Sequence, residues 1–205
     1  MESQAPAKVA HVVTGGTSFL LAVPDAETDY IQGRVAAEQR PYEEALLQDI
    51  AGRVGRDDIV VDVGANVGNH TLYLACVAGC RVHAFEPDVH LAEAIRTSAQ
   101  LNEVTDRVHI HRQGVGVAAG RGSLVLDDVA NLGGQRIVLD ELAERDQVAI
   151  TTLDEMDFGG RVAAVKIDVE GMELEVLLGG EQLLERDCPL VYVECLDVEH
   201  FTRVE

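Results

Sequence analysis

Short apolar runs recur along this chain at 59–64, 81–86, 107–111, 162–168 and 189–195. Between several of them, apolar residues return every three or four positions. A short apolar run bounded by turn formers reads as a strand buried on both faces, and the wider spacing reads as the inward face of a helix. Helices are predicted over 41–53, about 68–79, 88 to about 101 and about 172–185. Pro41 opens the first, and Tyr42, Leu46, Leu47 and Ile50 form its apolar face. A strand at 17–23 and an acidic loop carrying Asp25, Glu27 and Asp29 precede it. After the third core strand, Gly120, Gly122, Gly133 and Gly134 punctuate a hairpin-like insertion with strands at 123–126 and 135–139, and 147–153 is again extended. Strands alternating with amphipathic helices imply an α/β fold, a mainly parallel sheet with helices on both faces. A single domain is expected, with a cover at 1–55, a core at 56–197 and a tail at 198–205.

The run beginning at Ile59 changes period part-way. Ile59, Val60 and Val61 form a continuous apolar strand that Asp62 ends, Gly64 and Gly68 turn the chain, and Leu72, Ala75 and Cys76 continue at helical spacing. Strand, glycine-rich turn and helix in this order make a nucleoside-cofactor site. At the tip of the next strand stand Phe85, Glu86 and Pro87, with Glu86 lying 22 residues after Gly64. An acid there can accept hydrogen bonds from both hydroxyls of a ribose. A dinucleotide site needs a middle glycine for close approach of a pyrophosphate, but that position is Asn66, and the strand carries the anion Asp62. These features suit a cofactor with an ammonium, a sulfonium and no phosphate, namely S-adenosylmethionine.

Composition narrows the partners. The chain of 205 residues carries a formal net charge of −20, which argues against nucleic acid and anionic lipid as partners. No apolar run approaches the ~18 residues of a membrane span. The first residues show no signal peptide, so a cytoplasmic location is expected. Cys76, Cys80, Cys188 and Cys195 lack metal or disulfide spacing and are expected as buried thiols. Lysine occurs only as Lys8 and Lys166, which makes Lys166 conspicuous inside an apolar strand. A buried lysine needs a partner or a chemical task, and Asp168 or Glu194 could supply the pair.

The segment around Lys166 is the second dense patch. Lys166 and Asp168 share one side of a strand, and Glu170 and Gly171 lead into a helix whose first turn holds Glu173 and Glu175. Together with Val61–Gly68 and Lys166–Glu173, the residues Tyr42, Glu43, Phe85, Glu86, Pro87, Asn102, Thr152, Leu153, Asp154, Val193 and Glu194 resemble the FkbM-type family of S-adenosylmethionine-dependent methyltransferases. The resemblance covers about 17–197 and implies a Rossmann-like class I methyltransferase fold that methylates a hydroxyl of a natural product or saccharide. His70 stands where that family commonly has an aromatic, and the usual C-terminal strand pair is expected to be lacking. A homodimer is a possible consequence of an uncovered sheet edge.

The expected cofactor contacts are Asp62 near the ammonium, the turn of Gly64, Ala65, Asn66 and Gly68 under the methionine end, Glu86 and Pro87 at the ribose, Gln113, Gly114 and Val115 at the adenine, and Asp168. Removing the acceptor's proton calls for a base, with Asp168, Glu170 and Lys166 as catalytic candidates and His70 and His200 as weaker ones. No metal is expected, although Asp168, Glu170 and Glu194 could converge. The rival readings are a non-catalytic module that binds S-adenosylmethionine and, disfavoured by Asn66, an NAD-dependent oxidoreductase. Methylation at nitrogen or carbon stays open, because acceptor choice lies in loops.

Overall fold

The computed structural model describes residues 8–126, 135–138 and 147–194. A hairpin, β1 (Val9–Thr14) and β2 (Thr17–Ala22), opens the described chain. Its turn is Gly15-Gly16, both at positive φ, as a two-residue hairpin requires. Helices α1 (Tyr30–Glu38) and α2 (Glu44–Ala51) follow. The central strand β3 (Ile59–Val63) then leads into α3 (Asn69–Tyr73), which widens into one π-helical turn at Leu74–Ala78. Next come β4 (Arg81–Phe85), α4 (Val89–Leu101) and β5 (Val108–His111). The insertion holds β6 (Gln113–Val115), β7 (Gly120–Leu126), β8 (Gln135–Val138) and β9 (Gln147–Thr151). The last elements are β10 (Val162–Ile167), α5 (Glu173–Leu178), α6 (Glu181–Asp187) and β11 (Leu190–Val193).

Five strands form a wholly parallel sheet in the order β11-β10-β3-β4-β5, with β3 at its centre and buried along its whole length. Alternation along the strands feeds two cores. Val60, Val82, Ala84 and Ala164 pack with the hairpin, α2, α3 and α4, while Ile59, Val61, Val63, Val165 and Ile167 pack with Leu153, Phe158, Val176 and Leu183. This is the α/β, Rossmann-like architecture that the alternating pattern requires. A second, mixed sheet in the order β6-β9-β7-β8 is built by the insertion.

Several expectations are corrected. β1, α1 and β6 were not legible as elements. The helix expected at 41–53 begins only at Glu44, because Glu43 adopts a left-handed conformation (φ 54°, ψ 39°). The helix expected at 172–185 is two helices. At Gly179 a Cβ would lie 2.0 Å from the Gly116 carbonyl oxygen, so the chain breaks where two backbones meet. Asp154 then accepts hydrogen bonds from the N–H groups of Gln182 and Leu183 and caps α6 from outside. Of the thiols expected to be buried, Cys80 is buried, Cys76 is half-buried and Cys188 is exposed at the left-handed end of α6. Cys195, Gly133, Gly134, His200 and the expected missing strand pair lie outside the described residues. Among the described residues, no helix is long and apolar enough to cross a membrane.

Candidate active site

The site lies beyond the carboxyl ends of β3, β4 and β10, where parallel sheets present their ligands. At the end of β3 the chain turns under Phe85: the N–H groups of Gly64 and Ala65 both donate to the Phe85 carbonyl, at 3.1 and 3.0 Å. Gly64 has φ +74°, and a Cβ on it would stand 1.8 Å from the Asp168 carbonyl oxygen. Only glycine lets the ends of β3 and β10 approach this closely. Asn66 is left-handed too (φ 51°), and its side chain accepts from the Val67 N–H at 2.6 Å.

This turn aims the Asn66 N–H outward, where it donates to Glu86 at 2.8 Å. The other Glu86 oxygen accepts from the Asp88 N–H at 2.8 Å, so two backbone amides hold a buried carboxylate at the mouth of the turn. A cleft of about 360 Å³ opens beside it, a size suited to a small-molecule cofactor. Glu86, Pro87, Gln113, Gly114, Val115, Gly64, Asn66, Asp168 and Glu170 all line it. So do Glu194, Phe85, Met172 and Leu124, and the aromatic pair Tyr30 and Tyr42 from the N-terminal cover, whose rings meet edge to face at 6.5 Å.

Comparison with known proteins assigns the chain to a family. The model of the methyltransferase FkbM domain matches residues 62–204. The chain belongs to the FkbM methyltransferase family. Across 152 residues it is 30% identical to the hexuronic acid methyltransferase AglP of Haloferax volcanii, covering 70% of this chain and 58% of that protein. It is 27% identical to the antimetabolite synthetase AmbE of Pseudomonas aeruginosa over 75% of this chain and 9% of that protein. The chain thus spans less than two thirds of either relative. Among solved structures, an rRNA methylase from Streptococcus thermophilus aligns at TM-score 0.47 and 14% identity, covering 80% of this chain and 77% of that chain.

In this FkbM-family chain the charged residues divide between floor and cleft. Lys166 and Asp62 are register neighbours on β10 and β3, both buried. The Lys166 ammonium donates to the Gly64 carbonyl at 2.9 Å and lies 3.2 Å from Asp62 and 3.4 Å from Asp168. Burial opposes its charge, but the two carboxylates outweigh burial and hold its pKa above the ordinary lysine value. A lysine so committed is a poor proton acceptor, and its contacts pin the β3 turn and Asp168 together. Asp62, expected near the cofactor's ammonium, is wholly buried, accepts from the Thr71 hydroxyl at 2.6 Å and is not among the residues lining the cleft. Gly68 also stays outside, packed against Ile95, and Ala65 lines only a small recess next to the cleft.

The cleft carboxylates repel one another's charge. Burial, opposed by its two amide donors, pushes Glu86 up to about 8. Burial and the neighbouring Asp168, which shares a hydrogen bond with it, push Glu194 up to about 7. Burial, Asp168 and Glu173 also raise Glu170. Among the described residues, no three His, Cys, Asp or Glu side chains are grouped so as to hold a metal ion. Sequence reasoning missed Tyr30, Ile31 and Leu124 as lining residues; they reach the cleft only because the hairpin cover and the insertion fold over the sheet ends.

Proposed function

We propose that this chain transfers the methyl group of S-adenosylmethionine to a hydroxyl oxygen of a small molecule, a natural product or saccharide. The observation that carries this reading is Glu86, a buried carboxylate held by the Asn66 and Asp88 amides at the edge of a phosphate-unfriendly cleft. When bound, the cofactor supplies a methyl group on a sulfonium, so catalysis rests on alignment and on removal of one proton. Glu86 accepts the ribose hydroxyls, and Gln113, Gly114 and Val115 flank the base. Asp168, fixed by Lys166 and backed by Glu194, stands beside both cleft and turn and accepts the acceptor's proton. Glu170, also at the cleft wall, is the alternative base. The AglP relative, named for a hexuronic acid, supports a sugar-like acceptor.

Calorimetric titration of the chain with S-adenosylmethionine and S-adenosylhomocysteine tests the reading. Micromolar binding, lost in Glu86→Ala, is the expected result and leads to a screen of hydroxylated acceptors. A folded chain that binds neither compound would sink the proposal. Binding without turnover on any hydroxyl acceptor would leave a cofactor-binding module in place of an enzyme.

A further inference from the structure

The cleft continues past Gly64 and Asn66 into a recess of about 30 Å³. A volume of that order holds one water-sized group and excludes a ring. Gly64, Asn66, Tyr42, Ile31 and Asp168 border both spaces, so whatever lies over the 64–66 turn can reach into the recess. Glu43, His70 and Lys166 line it as well, the Lys166 charge being matched by Asp62 and Asp168.

Glu43 and His70 are both placed by construction. The Asn69 side chain donates to the Tyr42 carbonyl at 2.9 Å and accepts from the Tyr42 N–H at 3.0 Å, clamping the turn before α2 onto the start of α3. Glu43 follows in a left-handed conformation that costs a non-glycine residue free energy, yet it caps no helix amide with its side chain. Its carboxylate instead lies 3.2 Å from His70 Nε2. His70 is 7% exposed, and its Nε2 has that carboxylate at ion-pair distance but makes no aligned hydrogen bond. A left-handed acid and a buried imidazole thus stand together beside a recess with room for one small polar group. The His70 contact, working against burial, keeps Glu43 below the ordinary carboxylate range, so it is an anion at neutral pH.

The ribose end of the cleft is fixed by Glu86, and the opposite end runs over Gly64 toward this recess. Asp62, the residue expected to take the cofactor's ammonium, is sealed behind Lys166 and Thr71. Lys166 cannot attract a carboxylate there, because Gly64, Asp62 and Asp168 already use it. We propose that the recess is the subsite for the α-ammonium of the cofactor's methionine tail, with Glu43 as its counter-ion and His70 as the residue that positions Glu43. This rests on the S-adenosylmethionine reading and adds a residue from the N-terminal cover to the cofactor site.

The test compares ligands that share the adenosine and differ in the groups on sulfur, and reads for each ligand the change from the full chain to Glu43→Gln and Glu43→Asp. The probes are S-adenosylhomocysteine, decarboxylated S-adenosylmethionine, which keeps the ammonium, and 5′-methylthioadenosine, which lacks the tail. Glu43→Gln is expected to weaken the first two by about tenfold or more and to leave methylthioadenosine within about twofold. Glu43→Asp, which keeps the charge on a shorter stem, should show a smaller loss and guards against misfolding of the other variant. Equal weakening of all three ligands would make Glu43 a structural residue. Unchanged or tighter binding of the tailed ligands would overturn the assignment and point to the carboxylate end. Failure of the unaltered chain to bind methylthioadenosine and the tailed ligands alike would instead defeat the cofactor reading itself.

Discussion

At the residue scale, the site depends on two buried charges handled in opposite ways. Lys166 is neutralised by Asp62 and Asp168. Removing it in Lys166→Met leaves Asp62 buried without its cation, and urea unfolding should show a loss of about 3–5 kcal/mol. Asp62→Asn added to that variant should recover much of the loss, because the two residues act as a pair. Glu86 has no cation at salt-bridge distance among the described residues and is held by the Asn66 and Asp88 amides. Its folded pKa of about 8 lies above the unfolded value near 4.5. Between those values the native chain holds the extra proton, so this group's contribution is fully present below about pH 4.5 and is lost as pH rises through 8. Glu86→Gln should therefore gain stability over the unaltered chain as pH rises from 5 to 9, by up to about 4 kcal/mol in urea unfolding. Ribose hydroxyls favour the ionised form, so cofactor binding at pH 7 should release a proton. Calorimetry in buffers of differing ionisation enthalpy reads that release, and Glu86→Gln should reduce it.

At the element scale, the strands and helices around the sheet were legible from period and spacing, whereas their ends were set by contacts between distant backbones. The break between α5 and α6 is the clearest case: Gly179-Gly180 marks a weak point locally, and the Gly116 backbone packed against Gly179 fixes the break there. Gly179→Ala forces a Cβ against the Gly116 carbonyl and should cost about 2–4 kcal/mol. Gly120→Ala, where nothing lies within 4 Å, should stay within about 0.5 kcal/mol as a control. Thermal unfolding of the two variants side by side decides the point. α1 was missed for a different reason: its cap, Asp29 accepting from the Gln32 N–H at 2.8 Å, was read as part of an acidic loop. The buried face of that helix includes Gln32, a polar residue that hides the expected apolar stripe.

At the scale of the whole molecule, a net charge of −20 on 205 residues works against compactness. The surface ion pairs among the described residues include sequence neighbours such as Arg34 with Glu38 and Arg53 with Asp49, each worth little in water. Salt should consequently stabilise the fold, because the Debye length shrinks from about 30 Å at 0.01 M to about 3 Å at 1 M and screens the net repulsion more than it weakens those pairs. A rising unfolding midpoint in urea from low to high sodium chloride is the expected outcome. A falling midpoint would show that the exposed pairs outweigh the net charge.

Sequence alone determined what depends on neighbours along the chain: the parallel α/β sheet, the glycine-rich turn at 64–68, and the presence of Glu86 and Asp168 at strand ends. Apolar period and turn chemistry are local properties, so they can be read in order. Tertiary structure decided which charged residues meet water. Asp62 and Lys166 look like site residues in the sequence, yet parallel register across β3 and β10 buries them together beneath the site. Glu43 and Tyr42 lie outside the sheet in sequence, but the Asn69 clamp brings them to the cleft. Burial of a charge is settled by what packs over it from elsewhere in the chain, and no local pattern of residues records that.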